Sequence, residues 1–314
     1  MVKASHSNPI IAITGSAGWV GRALAEQLEK NGYSVLKMPH DTAHSTPLPQ
    51  GTRCLVHLAA LVHQMDRQPS ADDYHKANCD FAIAMARKAA AAGCGQMIFV
   101  STAKVMGERS AIGVPFTEAH EPQPSDAYSK SKWQAELALS KLVQAGELGQ
   151  MQICILRPPL VYGPGAGANV KRLEQLAASP WPLPLGRAQA PRSMVSLSLL
   201  TNAIESLIET LNEAFMESPT ACRDGLPALE TFFVADPMDT SVAQIITNLR
   251  AAQGRKPGLV NVPAIAMKIG LSVVGQQAIY ERLFTPLQID GSKLRRFLTT
   301  ASKAKAKRSS SQST

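Results

Sequence analysis

Apolar and polar positions along this 314-residue chain switch between two periods. Short apolar runs at 10–13, 34–38, 54–59, 97–101 and 152–157 read as buried strands. Between them, 20–30, 76–92 and 127–146 carry apolar residues at helical spacing. A later run, Thr231-Phe-Phe-Val-Ala235, reads as another strand of the same sheet. Such alternation predicts an α/β fold: a doubly wound parallel sheet with helices on both faces. Segments 164–195 and 255–290 are richer in Pro and Gly and break the alternation. They predict a small subdomain assembled from discontinuous pieces.

The first unit is the most specific. Ile10-Ile-Ala-Ile13 leads into Thr14-Gly-Ser-Ala-Gly-Trp-Val-Gly21, then into the helical stretch Arg22–Lys30 with Asn31-Gly32 as its stop. Ser34-Val-Leu36 resumes as a strand. Glycines 15, 18 and 21 let backbone approach a pyrophosphate, and the helix N-terminus offers free N–H groups and a positive dipole end. A tight βα turn that binds nothing is the alternative, and the flanking strand and helix weigh against it.

A second pattern carries chemistry. In Asp126-Ala-Tyr-Ser-Lys-Ser-Lys-Trp133, Tyr128 and Lys132 lie one turn apart on one helix face. A cation held there favours the phenolate and lowers the tyrosine pKa toward the working pH. The result is a general base for a sugar or alcohol hydroxyl. Taken alone, the spacing fits a solvated helix face equally well.

The G-x-x-G-x-x-G turn together with Tyr128 and Lys132 resembles the extended, sugar-nucleotide-modifying branch of the short-chain dehydrogenase/reductase superfamily. Leu55-Val-His-Leu-Ala-Ala60, Asn78 ahead of the helix Cys79–Ala92, Met97–Gly107 and Leu156–Pro164 extend the likeness over about residues 8–300. Within the branch the chain is most similar to UDP-glucose 4-epimerase-like proteins of polysaccharide gene clusters. That resemblance implies a Rossmann-type NAD(P)-binding domain from 8–163 plus about 190–250. It implies a substrate-binding subdomain from about 164–190 plus 255–295.

By the same resemblance, Thr102, Tyr128 and Lys132 are catalytic. Tyr128 takes the proton of the sugar 4-hydroxyl, Thr102 hydrogen-bonds the same oxygen, and hydride leaves C4 for the nicotinamide. The cofactor falls to Gly15, Ala17, Gly18, Trp19, Val20, Gly21, Leu58, Ala59, Ala60, Asn78, Ser101 and Pro158, with Tyr128 and Lys132. The substrate falls to Thr102, Asn169, Arg192 and Arg282, the arginines gripping the UDP diphosphate bidentately. The loop tyrosine of the family is Met106 here. The resemblance also implies a homodimer through the catalytic helix.

One departure stands out. Pro39–Arg53 is too short for the helix, third strand and adenine-side acid that the family carries there, and Pro47 and Pro49 break it further. The sheet is therefore expected to be shortened after its second strand. Asp41 substitutes for the missing acid if the loop bends back; otherwise Arg22 and Lys37 favour a 2′-phosphate and so NADP. The choice between NAD and NADP stays open.

Composition narrows the class. Five scattered cysteines (54, 79, 94, 154 and 222) without a C-x-x-C pair predict reduced thiols in a cytoplasmic protein. The polar start Met1–Pro9 lacks a signal core, and no run of about twenty apolar residues predicts a membrane span. Val262–Val274 is apolar apart from Lys268 and is expected to be a packed helix, with membrane-surface contact as the alternative. Of the net charge of +8, seven positives lie after Asp290 with no acid among them, which argues against a nucleic-acid face. The tail 301–314 is Ser/Lys/Ala-rich and expected to be disordered. No metal-ligand spacing surrounds His57 or His63: His57 reads as a core position, and His63 as a candidate substrate contact. A C4 epimerase, a UDP-4-keto-6-deoxy-sugar 4-reductase and a non-catalytic dinucleotide sensor all remain open, the intact triad weighing against the last.

Overall fold

In the computed structural model, residues 9–39, 43, 45–62, 69–217, 228–273 and 275–300 are described. Asp41, His63, Cys222, residues 1–8 and the tail 301–314 lie outside them. Strand β1 (Ile10–Thr14) turns into α1 (Trp19–Lys30) and returns as β2 (Ser34–Met38). Then come β3 (Thr52–His57), α2 (Ala71–His75), a π-helical turn (Lys76–Asp80), α3 (Phe81–Ala91) and β4 (Gln96–Val100). After a short 3₁₀ turn (Ala103–Met106) follow α4 (Ala127–Gln144), β5 (Gln152–Arg157), β6 (Leu160–Tyr162) and α5 (Ala168–Ala178). The remainder is β7 (Met194–Ser196), α6 (Leu197–Glu217), β8 (Leu229–Phe233), α7 (Val242–Ala252), α8 (Ala264–Val273) and α9 (Gln277–Phe284), with residues 292–300 again helical.

Six strands form one parallel sheet in the order β2-β1-β3-β4-β5-β8. β2 is its edge, and no strand occurs among the described residues between β2 and β3. The short 39–53 segment thus removes an outer strand and leaves the central ladder whole. One face is buried under α3 and α4, where Phe81, Met85 and Leu139 meet Leu55, Met97 and Phe99. The other is covered by α1, α6 and the 292–300 helix, where Leu24, Leu28, Leu200 and Ile204 meet Ile11, Val56 and Ile98. Alternate side chains of the same strands feed the two cores, which is why these runs are apolar throughout. α6, which the strand–helix reading left unassigned, supplies most of the second cover.

A third cluster lies apart. Ala177, Leu183, Leu185, Ala188, Val242 and Ile246 pack together with Leu249, Leu259 and Leu283. α7 therefore joins α5 in the small subdomain, although the sequence reading counted its residues with the larger unit. The expectation of a packed helix at 262–274 is met on one side only. α8 rests against α9, yet none of its residues is buried.

Candidate active site

The chain leaves β1 for β2 on one side and reaches β3 on the other, so the loops after β1 and β3 diverge at the carboxyl ends of the strands. Crevices at such switch points hold ligands. Here a cavity of about 530 Å³ is lined by Gly15, Ala17 and Gly18 from the first loop and Leu58, Ala59 and Ala60 from the second. All six are residues nominated for the cofactor.

The turn needs its glycines. Gly15 has φ +69°, and a Cβ there would lie 2.8 Å from the Ala59 amide nitrogen. A Cβ on Gly21 would collide with the Gly15 carbonyl. Gly18 caps α1 without a side chain, and the first turn holds no acid, so the N–H groups at Trp19–Gly21 face no built-in acceptor. Trp19 itself turns away: its indole donates to the Pro164 carbonyl at 2.9 Å. Of the two cations proposed for a 2′-phosphate, Arg22 donates to the Ala17 carbonyl at 2.6 Å and Lys37 pairs with Glu29 at 2.8 Å.

Asn78 sits in the π-helical turn, a deviation that often marks functional positions. Its amide accepts from Leu61 N–H at 2.7 Å, donates to the Leu61 carbonyl at 3.1 Å and donates to Ser131 on α4 at 2.9 Å. It thereby fixes the chain after β3 against the catalytic helix. His57 is a core residue, as read: fully buried, stacked on Phe99 and bonded through Nδ1 to Thr14 Oγ1 at 2.9 Å. Burial, helped by the nearby Lys132 charge, holds it neutral with a pKa of about 3.

Helix α4 begins at a capping box between Asp126 and Ser129. Lys104 grips Asp126 and pairs with Glu108 at 3.0 Å, locking the 3₁₀ turn to the helix start. This places the Thr102 hydroxyl in hydrogen-bond contact with Tyr128. Thr102 and Tyr128 are thus in contact, with Lys132 one helical turn further along α4.

Their electrostatics differ from the sequence expectation. Burial holds the Tyr128 phenol well above its ordinary value, with Asp126 and Tyr74 adding to the rise and the Thr102 hydrogen bond opposing it. Lys132 does not depress it. Buried itself, Lys132 falls to about 7 against the opposing pull of Glu136. Its Nζ lies over the Phe99 ring, 4.2 Å from the centroid, without a hydrogen-bond partner. Desolvation outweighs mutual attraction here, raising the phenol and lowering the ammonium.

Ser101 and Pro158 act from behind the site. The Ser101 hydroxyl donates to Glu136 at 2.5 Å and its N–H to Leu156 at 2.7 Å. Pro158 accepts from Ala103 N–H at 2.8 Å. Met106 is buried, and its sulfur accepts from Arg157 at 3.3 Å.

The two nominated arginines meet. Arg192 donates through Nη1 to the carbonyls of Arg282 and Thr285, at 3.2 and 3.1 Å. Burial and the Arg282 charge lower its pKa, while Glu108 counteracts them. Arg282 stays exposed on the last turn of α9. Asn169 is the second residue of α5, whose N-cap Gly167 also leaves the helix start uncapped; the Asn169 side chain lies outside the described residues.

A model of the NAD dependent epimerase/dehydratase family matches residues 11–179, the stretch that contains the glycine turn, Thr102, Tyr128 and Lys132. The chain belongs to this family. It is 30% identical to a UDP-glucose 4-epimerase of Vibrio cholerae over 302 residues, covering 89% of this chain and 87% of the relative. The fold matches a UDP-glucuronic acid 4-epimerase from Bacillus cereus in complex with NAD (TM-score 0.68, 19% identity, 92% and 90% of the two chains). It also matches a dTDP-4-dehydrorhamnose reductase from Bacillus anthracis in complex with NADP (TM-score 0.63, 17% identity, 94% and 100%). Family membership makes the chain an extended short-chain dehydrogenase/reductase enzyme and leaves the particular reaction to be argued from the site.

Sequence reasoning missed Glu136, Arg157, Tyr74 and Lys104. Glu136 had a signal, falling one turn after Lys132 on the same face. Arg157 had one too, as a lone charge ending the apolar run Ile153-Cys-Ile-Leu156. Tyr74, which meets the Tyr128 ring edge-on at 6.3 Å, and Lys104 had none.

Proposed function

We propose that this enzyme is a nicotinamide-dinucleotide-dependent nucleotide-sugar oxidoreductase acting at C4 of a UDP-hexose, of the UDP-glucose or UDP-N-acetylglucosamine 4-epimerase kind. One observation carries the reading: Thr102 is hydrogen-bonded to Tyr128 on the helix that also carries the unpartnered, buried Lys132 ammonium. The features of the glycine-turn cavity suit a dinucleotide. Its turn excludes any Cβ at Gly15, and the start of α1 has no side-chain cap to compete with a pyrophosphate; on α4, the orphaned Lys132 Nζ awaits an acceptor such as ribose hydroxyls.

When bound, the dinucleotide supplies hydride acceptance and donation. The protein supplies the proton chemistry. Tyr128 Oη takes the proton of the sugar 4-hydroxyl and later returns it. Thr102 Oγ1 holds the same oxygen in place. An acceptor on Lys132 Nζ favours its charged form, and that charge then draws the Tyr128 phenol down toward the phenolate. Arg192, with Arg282 beside it, meets the diphosphate.

The test is to incubate the purified protein with UDP-glucose and with UDP-N-acetylglucosamine, without added NAD(P)H, and follow the C4 epimer by proton NMR. Epimer formation that Tyr128→Phe abolishes supports the reading. NADPH consumption by a UDP-4-keto-6-deoxy sugar, without epimer formation, would replace it with a 4-reductase. Unchanged turnover in Tyr128→Phe would sink both.

A further inference from the structure

We propose that helix α8 docks this protein on an anionic phospholipid surface. Three side chains spaced by four, Ile265, Ile269 and Val273, form one stripe and are 70, 61 and 80% exposed. α8 rests against α9, and Met267 and Leu271, on the side away from the stripe, are half-buried. Trp181, 74% exposed, adjoins the same subdomain edge: Arg250 holds its carbonyl, and the chain two residues on pairs with Leu259 just before α8. A single exposed isoleucine is ordinary on a protein surface, whereas a stripe of three such side chains on one helix marks a contact face.

Charge identifies the occupant. Of the five Lys and Arg between Thr240 and Ile289, Lys256, Lys268 and Arg282 are exposed, against a single acid, Glu281. From Thr240 to Tyr280 there is no acid at all, and Lys256 and Lys268 flank the stripe in exposed positions. Apolar stripe, flanking cations and an exposed tryptophan together are the composition of a helix that lies in a membrane interface. A second copy of the chain would set this basic surface against itself. The tail Ala301–Thr314 has no apolar side chain larger than alanine with which to cover the stripe. At ten residues α8 is about 15 Å long and cannot cross a bilayer, so it lies along the surface.

The test is sedimentation of the full chain with vesicles of phosphatidylcholine alone and of phosphatidylcholine mixed with phosphatidylglycerol, at low salt. The expected result is binding to the mixed vesicles only, weakening as salt rises. Ile265→Ser with Ile269→Ser should cut partitioning about tenfold or more while leaving the thermal melt unchanged, since both side chains are already in water. Absence of binding, or binding by the double variant equal to that of the unaltered chain, would overturn the proposal. So would light scattering that showed a dimer broken by the same two substitutions in protein that ignores vesicles.

Discussion

Glu136 of α4 and Arg157 of β5 form a buried ion pair, with Nη2 2.5 Å from Oε2 and both side chains almost wholly covered. Arg157 Nε also reaches both carboxylate oxygens, at 3.2 and 3.1 Å, and the Ser101 hydroxyl completes the set. The pair joins the helix that carries Tyr128 and Lys132 to the end of β5, and Ser101 ties the same carboxylate to the end of β4, next to Thr102. Breaking a buried pair strands one charge, whereas replacing both partners need not. Glu136→Leu and Arg157→Met should each cost about 3–5 kcal/mol, and the double variant clearly less than their sum. Chemical denaturation of the four proteins of that cycle measures it. Because Ser101 neighbours Thr102, surviving Glu136→Gln protein should lose kcat more than it raises KM.

Lys132 should be a residue that weakens the free protein and is needed by the enzyme. Its folded pKa of about 7 lies below the ordinary lysine value of 10.5. Between those pH values the unfolded chain binds the proton and the native state does not, so native stability rises with pH across that window. At and below pH 7 the full cost of the buried ammonium is present. Lys132→Met should therefore raise the melting temperature of ligand-free protein at pH 7, by an amount that shrinks toward pH 10. Turnover should be lost at every pH. A lower melting temperature in Lys132→Met at pH 7 would contradict the unpartnered placement of Nζ.

The glycine turn gives a sharper test of the dinucleotide cavity. Gly15 combines a left-handed φ of +69° with a backbone nitrogen 2.8 Å from any added Cβ. Gly15→Ala should cost about 1–3 kcal/mol in strain and push the loops after β1 and β3 apart. Gly167, at the start of α5, has open space around its missing Cβ and serves as the control. Titration with NAD and NADPH, followed by nicotinamide fluorescence or calorimetry, should show binding lost in Gly15→Ala and retained in Gly167→Ala.

The parallel sheet was legible because its strands are short and apolar on both faces, and because the βα turn is marked by glycines that only close packing explains. Tyr128 and Lys132 were legible because a four-residue spacing on a helix is local. What escaped was non-local. Glu136 and Arg157 meet only when β5 is laid beside β4, and Lys104 meets Asp126 only once the 3₁₀ turn has folded back. The pKa logic failed for a related reason. Spacing places Lys132 near Tyr128, but the Phe99 ring that strips water from Nζ comes from another strand. α8 misled differently: its apolar composition matches a core helix, and only the tertiary arrangement shows that, among the described residues, α9 lies against it and none of its side chains is buried.

Arg250 holds the small subdomain together. Buried on α7, it donates to five carbonyls: Ala177 in the last turn of α5, Ser179 and Trp181 just after it, and Pro257 and Gly258 before α8. Arg255 shares the Ala177 and Ser179 carbonyls and Leu183 N–H the Gly258 carbonyl, but the planar fork of the Arg250 guanidinium reaches both segments at once, which a point-charge ammonium cannot. Gly258 is the tight spot, since a Cβ there would strike Arg250 Nη1. Arg250→Met should cost about 3 kcal/mol or more through the carbonyls left buried and unpaired, with Arg250→Lys close behind. The damage should stay local, because the main sheet packs on other residues. Hydrogen exchange should therefore accelerate at 177–183 and 257–260 while β4 and β5 keep their protection. If Arg192 and Arg282 grip the diphosphate as proposed, KM for the UDP-sugar should rise in the same variants, since α9 packs through Leu283 on the cluster that Arg250 closes.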